Sequence, residues 1–201
     1  GGVFLVAKDG KSIYRKAFGK SNIELAVNMK PENVFQIRSM TKQFTTVAVM
    51  MLEEQGKLNV NNPISKFIPD YPNGNKITIH HLLTHTSGIK DFTKMKSIMS
   101  ISRKDLTPKE LVDFFKDQPV DFQPGEKFDY NNSGYAVLGY IIEIVSGKTY
   151  EDFIEQNIFE KVGMINSRYA SDREIVTNRA YGYYNRGALT NKINISLTIP
   201  Y

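Results

Sequence analysis

Two short groups of polar residues in this 201-residue chain have the types and spacing for acyl transfer. Ser39 and Lys42 stand three apart where apolar residues begin to recur at helical steps. On a helix that spacing puts both side chains on one face, so the lysine amine reaches the serine oxygen and takes part in proton transfer. A serine at a helix N-terminus also has unpaired N–H groups and the positive end of the helix dipole beside it, which favours the charge that develops when its hydroxyl attacks a carbonyl. To act as base, Lys42 needs its pKa lowered from about 10.4 by desolvation or a neighbouring positive charge. By itself the tetrapeptide Ser39-Met40-Thr41-Lys42 is more often a helix cap followed by a surface lysine. The second group is Tyr130-Asn131-Asn132, which follows Gln123-Pro124-Gly125-Glu126-Lys127-Phe128-Asp129 and directly precedes another helical pattern. Tyr130 and Asn132 are then placed in a loop that can face a cleft; the plain alternative is a structural turn and a cap.

The elements that must hold these groups follow from pattern. Val3 to Ala7 is a short β-rich apolar run, Asp9-Gly10 favours a two-residue hairpin turn, and Ser12 to Phe18 completes a predicted hairpin. Ile13-Tyr14 and Arg15-Lys16 sit as pairs, so the register of the second strand is open. A hairpin alone is marginal in water, and nothing later is as strand-like. From Ser39, the spacing of Met40, Phe44, Val47 and Met51 predicts a helix ending at Gly56. Asn61-Asn62-Pro63 opens a short turn or helix through Phe67, and beyond Ile79 the chain reads as mainly helical. Thr107-Pro108-Lys109-Glu110 is a capping box with proline at the first helical position. Asn132 or Ser133 is expected to cap a helix carrying Tyr135, Leu138, Ile141, Ile142 and Val145 to Gly147, and Thr149 the next, to about Phe159.

Composition narrows the classes. Hydrophobic content of 41% supports a real core, and 26 basic against 21 acidic residues leave a net charge of +5 scattered without a run that would track phosphates. Nucleic acid is a poor partner for such a surface. No stretch approaches the roughly 20 apolar residues of a membrane span, and the first residues lack a signal-peptide pattern. The absence of cysteine excludes a disulfide framework, a Cys-ligated metal and a Cys nucleophile.

Ser39-x-x-Lys42 followed by Tyr130-x-Asn132 resembles the first two signature motifs of the serine β-lactamase and penicillin-binding-protein superfamily, in its class C β-lactamase-like, D-alanyl-D-alanine carboxypeptidase and esterase group. The framing is similar too: His81-Leu82-Leu83-Thr84-His85-Thr86-Ser87-Gly88, Pro124-Gly125, Tyr130 to Gly147, and Gly163-Met164 with Asn166-Ser167, in family order. The resemblance implies that Ser39 is acylated and that Lys42 is its proton acceptor or electrostatic partner. It further implies that Tyr130 shuttles the proton, that Asn132 binds the substrate's amide carbonyl, and that the Ser39 N–H is half of an oxyanion hole. Whether Lys42 or Tyr130 is the main base stays open at this level. The implied substrate is a small molecule or peptide with a β-lactam, peptide or ester carbonyl, with no cofactor or metal, and the implied location is exported, periplasmic or cell-surface.

The implied fold is mixed α+β: an antiparallel sheet flanked by helices, with an inserted mostly helical region. We expect one incomplete domain over 1–201, with a sheet hairpin at 1–20, the nucleophile helix at 39–56 and a mostly helical region from about 57. The family's third motif is absent: Gly147-Lys148-Thr149-Tyr150, the near match, lacks the final glycine and lies between helices. The expectation is therefore of a chain without the family's N-terminal helix and C-terminal strands, with little turnover alone, the missing segments coming from the rest of the protein. Ser146-Gly147-Lys148-Thr149 is a helix end rather than a phosphate loop, since Ile142 replaces the required glycine. His80, His81 and His85 are expected to pack or hydrogen-bond, because Leu82 replaces the glutamate of a zinc-protease motif. Tyr181, Tyr183 and Tyr184 either line a cleft or pack. The alternative class is a non-catalytic ligand sensor or structural protein of the same fold.

Overall fold

The computed structural model describes residues 1–101, 104–169, 175–185 and 192–194. Their contacts divide into two compact units, one starting at Gly1 and ending at Ile37, with residues from the C-terminal part, the other beginning at Arg38. The first unit opens with strands β1 (Gly2–Lys8) and β2 (Lys11–Phe18), paired antiparallel. Asp9 and Gly10 both have positive φ, 50° and 72°, the conformation of the tight turn whose twist matches its strands. Val6 pairs with Tyr14 but Ala7 with Ser12, which leaves Ile13 as a bulge. That extra residue is why the β2 sequence does not alternate. Shorter pairs follow, β3 (Lys20–Asn22) with β4 (Val27–Asn28), and later in the chain β5 (Tyr183–Asn185) with β6 (Lys192–Asn194). The Tyr183 hydroxyl accepts from the Ile23 N–H at 2.8 Å and donates to Glu24, whereas Tyr181 is exposed. The side chain of Tyr184 lies outside the described residues.

The second unit is helical. Its elements are α1 (Thr41–Glu54), α2 (Ile79–Leu83), α3 (Pro108–Phe115), α4 (Asn132–Ser146) and α5 (Tyr150–Ile154), the last continuing as a π-helical turn over Glu155–Phe159. Helix α4 is the hub, packing on α1, α2, α3 and α5. Val137, Leu138, Ile141 and Ile142 of α4 are fully buried against Ala48, Val49 and Leu52 of α1 and Leu111, Val112 and Phe115 of α3. Phe92 stacks on Phe115 with ring centres 5.7 Å apart.

The helix expected between Ser39 and Gly56 is α1; its buried residues are Thr45, Ala48, Val49 and Leu52, Phe44 and Met51 are partly buried against the same core, and Met40 and Val47 are 63% and 46% exposed. Apolar residues surround most of this helix, so periodicity does not select a face, and the small residues Thr45 and Ala48 mark the close approach. The cap of α4 is Asn131, whose Oδ1 accepts from the Gly134 N–H at 2.8 Å, rather than Asn132 or Ser133. The capping boxes and glycine ends otherwise fall where their residue types require: Thr107 with Glu110 before α3, Thr149 before α5, and left-handed Gly56 and Gly147 after α1 and α4. Gly147 to Thr149 is thus a helix-to-helix junction.

Candidate active site

Ser39 sits in a single 3-10 turn, Arg38–Met40, that feeds directly into α1. Arg38 has φ of 48°, a left-handed conformation uncommon outside glycine, and it turns the chain so that the serine leads the helix. At this position the N–H groups of the first turn have no partner four residues back. Lys42, one turn on, brings Nζ to 3.4 Å from the Ser39 Oγ. From 91 positions away Tyr130 places its hydroxyl 2.8 Å from the same oxygen. Lys42 Nζ also donates to Asn132 Oδ1 at 2.8 Å and lies over the rings of Tyr130 and Tyr135, 4.9 and 5.2 Å from their centres. All four residues singled out from sequence therefore meet around one ammonium group.

The amide of Asn132 has a determined orientation. An ammonium only donates, so Oδ1 must face Lys42, and Nδ2 must then face acceptors. It finds Asp91 Oδ2 at 3.3 Å and Thr93 Oγ1 at 3.2 Å. Asp91 is 2% exposed and its other oxygen accepts from the Thr93 N–H and hydroxyl at 2.9 and 2.8 Å. A buried carboxylate surrounded by donors anchors the amide that anchors the lysine. Sequence reading missed Asp91, Thr93, His85 and Tyr135. The available signal was Asp91-x-Thr93 three residues after Gly88, a side-chain-to-backbone turn motif in a loop leading out of the histidine-rich segment.

Two chain segments hold this network in place. The Asp121, Gly125 and Asp129 N–H groups donate to the carbonyls of Gly88, Thr86 and His85 at 2.8, 2.8 and 2.9 Å, so residues 85–88 and 121–129 run side by side and deliver Tyr130. Asn131 then donates from Nδ2 to the Ile89 carbonyl at 2.7 Å, and fully buried Ser133 links the Lys90 carbonyl and the Phe92 N–H at 2.6 and 2.8 Å. Asn131 and Ser133 flank Asn132 and face the core, which leaves Asn132 to face Lys42.

The electrostatics favour an ionisable phenol. Burial alone would raise Tyr130, but hydrogen bonding with Lys42 and Ser39 and the charge of Lys42 outweigh it and hold the phenol below its ordinary range. His85 stacks on Tyr130 at 4.7 Å and on Tyr135 at 5.2 Å, and its Nδ1 accepts from the Asn131 N–H at 3.1 Å. Burial, then the nearby Lys42, lowers His85 and keeps it neutral. His81 is lowered chiefly by burial, and its Nδ1 accepts from the Thr78 N–H at 3.2 Å in a reciprocal cap of α2. Among the described residues no group of three or more His, Asp or Glu is placed to hold a metal, and no helix is long and apolar enough to cross a membrane.

The Beta-lactamase family model matches residues 1–196. The chain is 34% identical over 189 residues to the Bacillus subtilis strain 168 protein named "Putative penicillin-binding protein PbpX", covering 94% of this chain and 46% of that one. Among solved structures it is similar to a penicillin-binding protein from Bacillus halodurans, with a TM-score of 0.84 and 30% identity over 98% of this chain and 61% of the other. It is also similar to a D-amino acid amidase from Ochrobactrum anthropi SV3, with a TM-score of 0.77 and 29% identity over 92% and 52%. The chain thus spans about half the length of these relatives. With a mixed fold of helices and small antiparallel sheets, and a match over nearly its whole length, the chain belongs to the Beta-lactamase family of the penicillin-binding-protein superfamily.

Proposed function

We propose that this protein is a serine hydrolase that works through an acyl-Ser39 intermediate on a peptide, ester or β-lactam carbonyl. The observation that carries the reading is the 2.8 Å contact between the Tyr130 hydroxyl and Ser39 Oγ, inside a cage where Lys42 favours the phenolate. In the proposed first step Ser39 Oγ bonds to the carbonyl carbon and its proton passes to ionised Tyr130, the general base. Lys42 holds the phenolate and the developing charge, and its own position is held by Asn132. The Ser39 N–H donates to the oxyanion. Tyr130 then protonates the leaving group, and water hydrolyses the ester. The Asn132 Nδ2 contacts, at 3.3 and 3.2 Å, are long, so one can be exchanged for a substrate carbonyl without losing a strong bond. Relatives named as penicillin-binding proteins and a D-amino acid amidase support an amide-type carbonyl, and an exported location belongs to the same proposal.

Incubation of the intact protein with a fluorescent penicillin and with a fluorophosphonate, read by intact mass, tests the reading. One adduct per chain, absent in Ser39→Ala, is expected. No adduct from either reagent overturns it, while a stable adduct with no turnover of any ester or amide would identify a sensor instead.

A further inference from the structure

His85 holds the segment that delivers Tyr130 at two points. Its carbonyl accepts from the Asp129 N–H at 2.9 Å, and its Nδ1 accepts from the Asn131 N–H at 3.1 Å. Its ring stacks on Tyr130, with centres 4.7 Å apart, and on Tyr135 at 5.2 Å. The backbone of His85 has φ of 58°, a left-handed conformation that costs energy in a residue with a Cβ. Asn131 is 6% exposed, so its N–H depends on the imidazole as acceptor.

A nitrogen that accepts carries no proton, so the ring proton of neutral His85 sits on Nε2. A second proton, at Nδ1, would face the Asn131 N–H donor to donor and add a cation beside Lys42. The titratable groups around the ring are Lys42 of α1, Tyr135 of α4, Asp91, and Tyr130 with Asp129 on the paired segment. Neither acid is free to take up an imidazolium: Asp91 accepts from Thr93 and Asn132, and Asp129 is paired with Lys94 at 3.3 Å. Resting on the assignment of Ser39 as nucleophile and Tyr130 as its base, we propose that His85 is a positioning residue: as a neutral imidazole it keeps the Tyr130 hydroxyl on Ser39, and its protonation releases that turn and switches acylation off in acid.

The test is the second-order rate of Ser39 labelling by a fluorophosphonate on the intact protein from about pH 4.5 to about pH 8, with the fold followed by circular dichroism. Ionisation of Tyr130 alone gives the logarithm of the rate a slope of one against pH. Burial, then Lys42, lowers His85, so the slope should steepen to about two below the ordinary histidine value of about 6.5. His85→Asn puts Oδ1 in the place of Nδ1, tolerates the left-handed backbone and does not titrate. It should label within about tenfold of wild type at neutral pH and keep a slope of one throughout. His85→Phe keeps the stacking without the acceptor, and should label roughly ten- to a hundredfold more slowly at every pH. A wild-type slope of one throughout, or a break that persists in His85→Asn, overturns the proposal while Ser39 labelling stands. So does a wild-type limb that flattens, because the added charge then favours the phenolate without moving it, or folded His85→Phe that labels at the wild-type rate. No labelling of the wild type at any pH removes the nucleophile assignment, and this proposal with it.

Discussion

The chemistry of single residues here is set by their neighbours. Tyr130 is depressed because a lysine ammonium lies against its hydroxyl and ring, so its ionised form gains as pH rises through the lowered pKa. The second-order rate of Ser39 acylation should therefore climb on the alkaline side with an apparent pKa below that of free tyrosine. Lys42→Met should move that limb up toward the ordinary tyrosine range and slow acylation at neutral pH by roughly 10²- to 10⁴-fold. A pH–rate profile that Lys42→Met leaves in place would count against Tyr130 as base. Asp91 acts at one remove, through Asn132. Asp91→Ala leaves the Thr93 N–H and hydroxyl without their acceptor and the Asn132 amide with Thr93 Oγ1 alone, at a cost of about 1–3 kcal/mol in stability, and lets Lys42 swing from Ser39. Its expected signature is a lower kcat with a shifted pH profile; a stability loss with unchanged kinetics would make Asp91 a purely structural residue.

At the scale of elements, the site depends on two loops that run together. Gly88 has φ of 72°, and an added Cβ would lie 1.9 Å from the Phe122 carbonyl oxygen, so no side chain fits without separating the loops that deliver Asp91 and Tyr130. Gly147 has nearly the same φ, 69°, but open space around it. Comparing Gly88→Ala with Gly147→Ala separates clash from backbone preference. The second should cost about 1–2 kcal/mol, the left-handed penalty alone, and leave acylation unchanged. The first should cost more and reduce Ser39 labelling, measured by thermal melts and by mass. Equal melting temperatures and equal labelling would show that the loop pairing does not position the site.

For the whole molecule, stability and chemistry draw on different residues. The helical core centres on α4, and Ile141→Ala, at a fully buried position of that helix, should cost about 2–5 kcal/mol. Melting should shift by several degrees while labelling at low temperature stays near wild type; slowed labelling of folded protein would show that packing and site are coupled. Much of this was legible in the sequence because it depends on local rules: the hairpin turn at Asp9-Gly10, the capping boxes, the glycine ends of α1 and α4, and the three-residue step from Ser39 to Lys42. The order of Ser39, Lys42, Tyr130 and Asn132 also identified the family. The buried face of α1 was not legible, because apolar residues on most sides of a helix leave the choice to its neighbours. Nor was the choice of Asn131 as cap in place of the expected Asn132 or Ser133, since that choice depends on the Ile89 carbonyl that holds the Asn131 side chain and the core that buries Ser133. For Asp91 the sequence offered a local turn motif with Thr93 but not its place in the site: that role requires that residues 41 positions apart share a buried hydrogen-bond network, and such long-range pairing is decided only when the chain has packed.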